Sequence, residues 1–541
     1  MPKLLLIQPP VEDFYDTDIR LQPIGLAYLK AAVSKYVPEF SVTIRDYHQG
    51  WGRQTIALPK DLSYLRPYYG VSDRGPFSSF HQYFRFGADF NLIAEQVAAE
   101  QPDIVGISSL FTPYYREVLK LAAAIKKRCN AVVLVGGSHV SCAPETMISD
   151  PHVDFIIRGE GERPLVEFLQ TWLANGDLDT VPNLGFKKSG AIHLNPLQDN
   201  YGIDQLKLPD LSDLPAERYQ YMNQPVCMIV TSRGCPHSCA FCSVHRTFGK
   251  RYRQRQAEDV VQEMKERYDQ GYRVFDFEDD NLTFDAQRFK ELCGMIIDRF
   301  EGREIELLAM NGVSHKSLNK ELLQLMQEAG FTHLNLALVS SDKDVLGAVQ
   351  RPHRIEQFSK VVDEAHHLGL QVVAYQILGL PGELLDSMIS SLVTLARHPL
   401  LIGVSTFYLT PGSPIAKRFQ AMSKQELFRS RSTAMAITSE KCKRDDLYTL
   451  FITARILNFL KGLEFEGEEA EVMELIGKAE SFSGRASTGL GILGSLLREG
   501  VLYGATAKGL KLLPRFDSYL FFRVWERIEV LVTQQGKKII L

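Results

Sequence analysis

The sequence predicts an α/β protein with two successive parallel-sheet units: an N-terminal doubly wound, Rossmann-like domain over residues 1–175 and a partial (β/α)6 barrel over 225–415. Residues 176–224 are expected to link them, and residues 416–541 to form a helical C-terminal region. Three observations carry that reading. Short β-branched or leucine-rich runs alternate with helix-like segments at the start, a proline-bearing stretch interrupts them, and six further strand–helix units follow. Such alternation is the trace of a parallel sheet covered by helices. At 541 residues the chain is too long for one core and long enough for two or three domains.

In the first unit, strands are expected near Lys3 to Gln8, Ser41 to Asp46, Asp103 to Ser108, Ala131 to Val135 and Val153 to Ile157. Helices should begin near Pro23, Asn91, Pro113 and Glu162. A doubly wound sheet binds its ligand beyond the carboxyl ends of the strands. That rule selects Ser108 and Ser109, Gly136-Gly137-Ser138-His139 and Gly159-Glu160-Gly161-Glu162. An insertion over residues 47–90 is rich in aromatic residues, among them Trp51, Tyr64, Tyr68, Tyr69, Phe77 and Phe80. It could lie over a ligand or form an apolar cluster beneath a long loop.

The linker carries Pro182, Pro196, Pro209 and Pro215, with a hairpin signal at Lys188-Ser189-Gly190. Barrel strands are expected near Val226 to Thr231, Arg273 to Phe277, Glu304 to Ala309, His333 to Leu338, Gln371 to Leu378 and Gly403 to Leu409. Gly271, Gly330 and Gly369 stand where helix C-caps are needed. A barrel of this kind places its site at the carboxyl ends of the strands. Beyond Lys417 the pattern turns helical, with Gly484 to Gly494 as a small-residue interruption.

Composition narrows the function classes. A formal net charge of −4 offers no global basic field for nucleic acid or an anionic membrane. The first apolar run, Leu4 to Ile7, is shorter than the roughly 7–15 residues of a signal-peptide core. Leu447 to Leu460 contains Arg455 and falls short of the roughly 20 residues of a membrane span. Eight cysteines, three of them crowded together, fit a reducing compartment, so a cytoplasmic location is expected.

The three crowded cysteines carry the chemistry. The strand ending at Thr231 runs into Ser232-Arg233-Gly234-Cys235-Pro236-His237-Ser238-Cys239-Ala240-Phe241-Cys242. These spacings also suit one face of a helix, although Gly234 and Pro236 oppose a regular helix there. A zinc site completed by His237 or His245 is a second option, since structural zinc closes four ligands. The third is a 4Fe-4S cluster held by Cys235, Cys239 and Cys242, because soft thiolates select such clusters and three ligands leave one iron open.

In position, spacing and the aromatic Phe241, this segment resembles the radical S-adenosylmethionine superfamily, whose signature is Cys-x3-Cys-x2-Cys after the first barrel strand. The resemblance implies that the open iron chelates the amino and carboxylate groups of S-adenosylmethionine. One electron then releases methionine and a 5'-deoxyadenosyl radical. It also implies a low-potential electron donor such as flavodoxin or ferredoxin. Contacts to S-adenosylmethionine carry over to Phe241, to Asp279 and Asp280 in Phe277-Glu278-Asp279-Asp280-Asn281, and to Gly379 and Pro381 in Ile377-Leu378-Gly379-Leu380-Pro381-Gly382-Glu383. Solvated acids and a plain turn are the alternatives at those two places. Pro411-Gly412-Ser413-Pro414 also matches the family pattern. One departure stands at Ala337-Leu338-Val339-Ser340, where Val339 replaces a family glutamate and Asp342 is the nearest candidate to compensate.

The first unit resembles the cobalamin-binding domain that precedes this barrel in one large subgroup. The matching segments are Gln22-Pro23-Ile24-Gly25-Leu26-Ala27-Tyr28-Leu29, Gly136-Gly137-Ser138-His139 and Gly159-Glu160-Gly161-Glu162. The resemblance assigns cobalamin contacts to Ser108, Ser109, Gly136, Gly137, His139, Gly159 and Glu160. An Asp-x-His-x-x-Gly segment is missing, so no histidine is expected below the cobalt. A doubly wound domain that has lost its ligand, or that binds another nucleotide-like molecule, remains the alternative. The implied reaction is methyl transfer to an unactivated carbon or a phosphinate phosphorus of a small molecule or biosynthetic intermediate. Cobalamin-assisted cyclisation or ring rearrangement without methyl transfer is the second reading, and a non-catalytic iron-sulfur or corrinoid-binding protein the third. Cys129, Cys142, Cys227, Cys293 and Cys442 are scattered, as packing residues are, and His366-His367 sits on a helix before Gly369.

Overall fold

The computed structural model describes residues 1–17, 22–419 and 421–541. Its first sheet contains β1 (Lys3–Gln8), β2 (Ser41–Asp46), β3 (Ile104–Ser108), β4 (Val132–Gly136) and β5 (Phe155–Ile157). They run parallel in the order β2-β1-β3-β4-β5, the flavodoxin-like winding. Leu4, Leu5, Leu6 and Ile7 of β1 are all buried, as a central strand covered on both faces requires.

Two strands continue this sheet from within the expected linker. β6 (Leu184–Lys188) pairs antiparallel with β5, and β7 (Ala191–Leu194) folds back on β6. Ser189 and Gly190 turn between them with φ of +50° and +82°, the left-handed pair that matches strand twist in a two-residue hairpin.

The barrel half contains β8 (Gln224–Ile229), β9 (Val274–Phe277), β10 (Glu306–Leu308), β11 (His333–Val339), β12 (Gln371–Leu378) and β13 (Leu401–Thr406). They pair in parallel as β8-β9-β10 and β11-β12-β13. Parallel bridges Leu307–Phe331 and Val313–Leu336 join the two runs, giving a partial (β/α)6 barrel. Gly271, Gly330 and Gly369 all take positive φ just past their helices.

The aromatic insertion is the seat of the C-terminal region. The hydroxyls of Tyr64 and Tyr69 donate to the carbonyls of Ala434 and Thr433, both at 2.8 Å, and Tyr68 donates to Asp445. Phe77 packs edge-on against Phe459 and Phe80 lies against Phe451. The C-terminal region itself is not wholly helical. Glu469–Glu471, Val530–Val532 and Lys538–Ile540 form a three-stranded sheet, and Tyr503–Thr506 pairs with Gly509–Leu512. The small-residue stretch, in turn, is no interruption: it opens the helix Gly484–Glu499, where small residues admit a neighbouring ring. No helix among the described residues is long and apolar enough to cross a membrane.

Candidate functional site

Cys235, Cys239 and Cys242 lie on one loop beyond the carboxyl end of β8, and no regular helix carries them. The loop is pinned at three places. Gly234 enters it with φ of +83°, a Cβ there would stand 2.5 Å from the Arg251 carbonyl oxygen, and its N–H donates to Asp280 Oδ2 at 3.0 Å. Further along, Ala240 donates to the Val349 carbonyl at 2.9 Å and accepts from the Ile415 N–H at 2.7 Å. Cys239 is buried and the other two are half-buried. Burial, then the fields of Cys239, Cys235 and Asp280, pushes the Cys242 thiol up to about 11, and burial first also raises Cys235. These two thiols therefore call for a cation or an iron to stabilise their thiolate forms. Among the described residues, no three His, Cys, Asp or Glu side chains converge as a site for a single ion.

The residues assigned to S-adenosylmethionine divide. Phe241 packs onto a small apolar cluster that includes Ala240, Val339, Leu380 and Phe407, which brings the end of β12 to the cysteine loop. Gly379, at φ +78°, and the half-buried Pro381 flank Leu380. Asp280 holds Gly234, and burial raises its carboxyl to about 6. Asp279 is different. Its carboxylate is 1% exposed and accepts from Thr231 N at 3.2 Å, Thr231 Oγ1 at 2.8 Å and the Ser232 hydroxyl. It braces the exit of β8 and is not turned toward a ligand. Asp342 does not replace the missing glutamate either, because it caps the helix Lys343–Ala348 and accepts from Ser387. Val339 keeps a left-handed φ of +69° although it is β-branched.

At the carboxyl ends of β3 and β4, backbone bonds draw the first-domain candidates together. Ser109 donates to the Gly136 carbonyl at 2.7 Å, and His139 donates to the Ser109 carbonyl at 3.1 Å. Gly137 has φ of +118°, and a Cβ there would stand 2.6 Å from the Ser109 carbonyl oxygen. Ser108 is half-buried beside them. His139 Nδ1 lies 3.2 Å from Thr112 Oγ1, and burial lowers its pKa to about 4, so the imidazole is neutral. His139 Nε2 and Ser109 Oγ are buried without a hydrogen-bond partner, as happens where a ligand completes a site. Leu110 and Phe111 follow as exposed apolar side chains, fit to meet a flat macrocycle. These features fit a corrinoid.

Gly159 and Glu160 take another direction. The Gly159 N–H donates to Ser141 Oγ at 2.8 Å, and a Cβ on Gly159 would lie 3.6 Å from the carbonyl oxygen of Thr247, five residues past Cys242 on the cysteine loop. Both oxygens of Glu160 are engaged with the barrel, Oε1 by Arg233 at 3.0 Å and Oε2 by Arg253 at 2.8 Å. Its carboxylate is therefore not free for a cofactor.

Three further residues join the site without a sequence signal. Arg351 Nη1 donates to Cys239 Sγ at 3.5 Å. Asn281 Nδ2 lies 3.8 Å from Cys235 Sγ. Glu383 is buried, accepts from Leu380 N–H and Ser340 Oγ, and is pushed by burial up to about 8. The contacts to Cys239, Cys235 and Ser340 span 112, 46 and 43 positions, so only the fold could reveal them.

Comparison with known proteins agrees with the two-domain order of the fold. The family model described as "Radical SAM superfamily" matches residues 229–393, and "B12 binding domain" matches residues 87–169. An uncharacterised methyltransferase from Pyrococcus horikoshii is 28% identical over 388 residues, covering 70% of this chain and 75% of its own. Cytidylyl-2-hydroxyethylphosphonate methyltransferase from Streptomyces wedmorensis is 26% identical over 432 residues, covering 72% and 76%. The structure of the radical S-adenosylmethionine methyltransferase TsrM from Kitasatospora setae superposes with a TM-score of 0.61 at 15% identity, over 91% of this chain and 98% of that one, which shows a shared fold. The chain carries a radical S-adenosylmethionine domain over residues 229–393, preceded by a B12-binding domain over residues 87–169.

Proposed function

We propose that the protein is a cobalamin-dependent radical S-adenosylmethionine methyltransferase acting on an unactivated carbon or a phosphinate phosphorus of a small molecule or biosynthetic intermediate. The observation that carries this reading is the placement of three thiols beyond the first barrel strand, tied by ion pairs to the ligand-binding end of the doubly wound domain. When bound, the 4Fe-4S cluster with S-adenosylmethionine supplies a hydrogen-abstracting radical and cobalamin supplies a methyl carrier.

The chain's own residues bind and orient. Cys235, Cys239 and Cys242 would hold the cluster, whose several irons suit thiols that do not converge on one ion. Arg351, beside Cys239, and Asp280, beside Gly234, offer opposite charges to the carboxylate and ammonium of an amino acid. The Gly379–Pro381 segment would meet the adenine with its backbone, which Gly379 turns at a φ of +78°. Ser109, Gly137 and His139 would line the corrinoid, with His139 neutral and partnered by Thr112. An acidic low-potential electron donor of the flavodoxin or ferredoxin kind suits the outer side of the loop. Arg246, Lys250, Arg251, Lys417 and Arg418 are all exposed there, on a chain whose net charge is −4.

Anaerobic protein reconstituted with iron, sulfide and hydroxocobalamin should contain both chromophores. With a reductant and S-adenosylmethionine it should release S-adenosylhomocysteine as well as 5'-deoxyadenosine. 5'-Deoxyadenosine alone would favour ring closure without methyl transfer, and neither product would leave a non-catalytic carrier.

A further inference from the structure

We propose that Glu160 and Glu162 form a clasp that fixes the neck of the cysteine loop against the first domain, and so act as positioning residues. This rests on the reading of that loop as the cluster site. Ser232–Arg233 and Arg253–Gln254 pair antiparallel, and everything from Gly234 to Tyr252, including the three cysteines, lies between these two arms. Glu160 grips both arms, Arg233 through Oε1 and Arg253 through Oε2. Glu162 takes the second nitrogen of Arg233 at 2.7 Å, and its other oxygen accepts from Asn200 Nδ2 at 2.8 Å. The four carboxylate oxygens are thus all engaged.

The heart of the clasp is buried. The side chains of Arg233, Glu160 and Glu162 are 8%, 7% and 5% exposed. Tyr28 stacks against the Arg233 guanidinium at 4.9 Å, and Leu29 borders Gly161. The Gly-Glu-Gly-Glu motif and the Tyr28-Leu29 pair therefore meet at one guanidinium two residues before Cys235. Buried charges tolerate no loss of a partner, and the arginine fork fixes direction as well as distance. Two cofactors held by separate domains can serve one substrate only at a set separation, and a small misplacement lowers the rate by orders of magnitude. Glu160 supplies that constraint from the first domain, where a corrinoid ligand would have had to leave its oxygens free.

The test uses the full-length protein carrying the reconstituted cluster and cob(II)alamin, in wild-type form and as Glu160→Gln, Arg253→Gln and the double variant. Pulsed dipolar electron paramagnetic resonance between the reduced cluster and the cobalt reads their separation. Iron content and corrinoid absorbance are measured alongside. Wild type should give one narrow separation. Each single variant should keep iron and corrinoid but broaden the separation, and the double variant should be no broader than Glu160→Gln, which already removes the ion pair to Arg253. Arg253→Gln approaches the clasp from its more open side, so the outcome does not rest on one substitution. An unchanged separation in both variants overturns the clasp, as does loss of corrinoid in Glu160→Gln with the separation of the remaining fraction intact. A wild type without cluster or corrinoid overturns the parent reading, and the clasp with it.

Discussion

The guanidinium of Arg351 donates to the sulfur of Cys239 across 3.5 Å, although the two residues are 112 positions apart. A hydrogen bond and a positive charge beside a cluster thiolate favour the reduced, more negative state. Arg351→Met removes both while keeping an apolar stem of similar length. If the bond contributes about 1 kcal/mol to reduction, the midpoint potential falls by about 40 mV for one electron. Redox titration of the cluster's paramagnetic signal checks this. An unchanged or more positive potential would show that Arg351 does not tune the cluster.

Glu383 makes stability pH-dependent in a direction opposite to that of a salt-bridged acid. Burial raises its carboxyl from the ordinary 4.5 to about 8, against hydrogen bonds from Leu380 N–H and Ser340 that favour the anion. Between those values the unfolded chain has lost the proton and the folded one keeps it, so stability falls with rising pH, by up to about 1.4 kcal/mol per unit. Above about pH 8 the loss is complete. Glu383→Gln retains an acceptor for Leu380 and removes the titration. Its melting temperature should exceed that of the wild type increasingly from pH 5 to pH 8. Parallel curves would mean that Glu383 titrates normally.

How far the sequence reached can be seen in the residues themselves. β1, β2 and β12 have the expected bounds because local alternation and burial on both faces leave a plain trace. The cysteine loop was legible because its three thiols stand four and three residues apart on one local segment. Glu160 was not. Its assignment depends on Arg233 and Arg253, 73 and 93 positions away, and a glycine-flanked glutamate after a strand suits a ligand as well as a clasp. Asp279 misled because an acid at a strand end carries no mark of which way it turns. The β6–β7 hairpin was signalled at its turn, Lys188-Ser189-Gly190, but not its addition to β5, because that pairing is made across residues that carry no local mark of it.

Val339 predicts an inverted ranking of substitutions. Its φ of +69° is a conformation that costs a β-branched residue about 1–3 kcal/mol, and it sits where β11 and β12 shift register. Both Val339→Gly and Val339→Ala lose the apolar contacts of the valine, which is 3% exposed. Only glycine also relieves the strain. The Gly variant should therefore be more stable than the Ala variant by about 1 kcal/mol, whereas in an ordinary strand alanine is favoured. Thermal unfolding of the two proteins decides it. If alanine is the better tolerated, the loop before Ser340 does not demand this backbone.

Gly489 and Gly491 lie on the same helix, Gly484–Glu499, and predict opposite signs for the same substitution. A Cβ on Gly489 would stand 2.4 Å from Phe459 Cζ, while nothing lies within 4 Å of one on Gly491. Alanine raises helix propensity by about 1 kcal/mol at either place. At Gly491, which is exposed, that gain stands alone, and stability should rise by about 0.5–1 kcal/mol. At Gly489 the methyl must push Phe459 off its edge-on contact with Phe77, the residue that anchors the aromatic insertion. Overpacking of this kind costs about 1–3 kcal/mol, enough to reverse the sign. Gly489→Ala should melt below the wild type, and protease cleavage within residues 47–90 should become faster as the insertion loses its seat. Equal stabilisation by both substitutions would mean that Phe459 yields freely and that the insertion is held by its tyrosine hydrogen bonds to Thr433 and Ala434 instead.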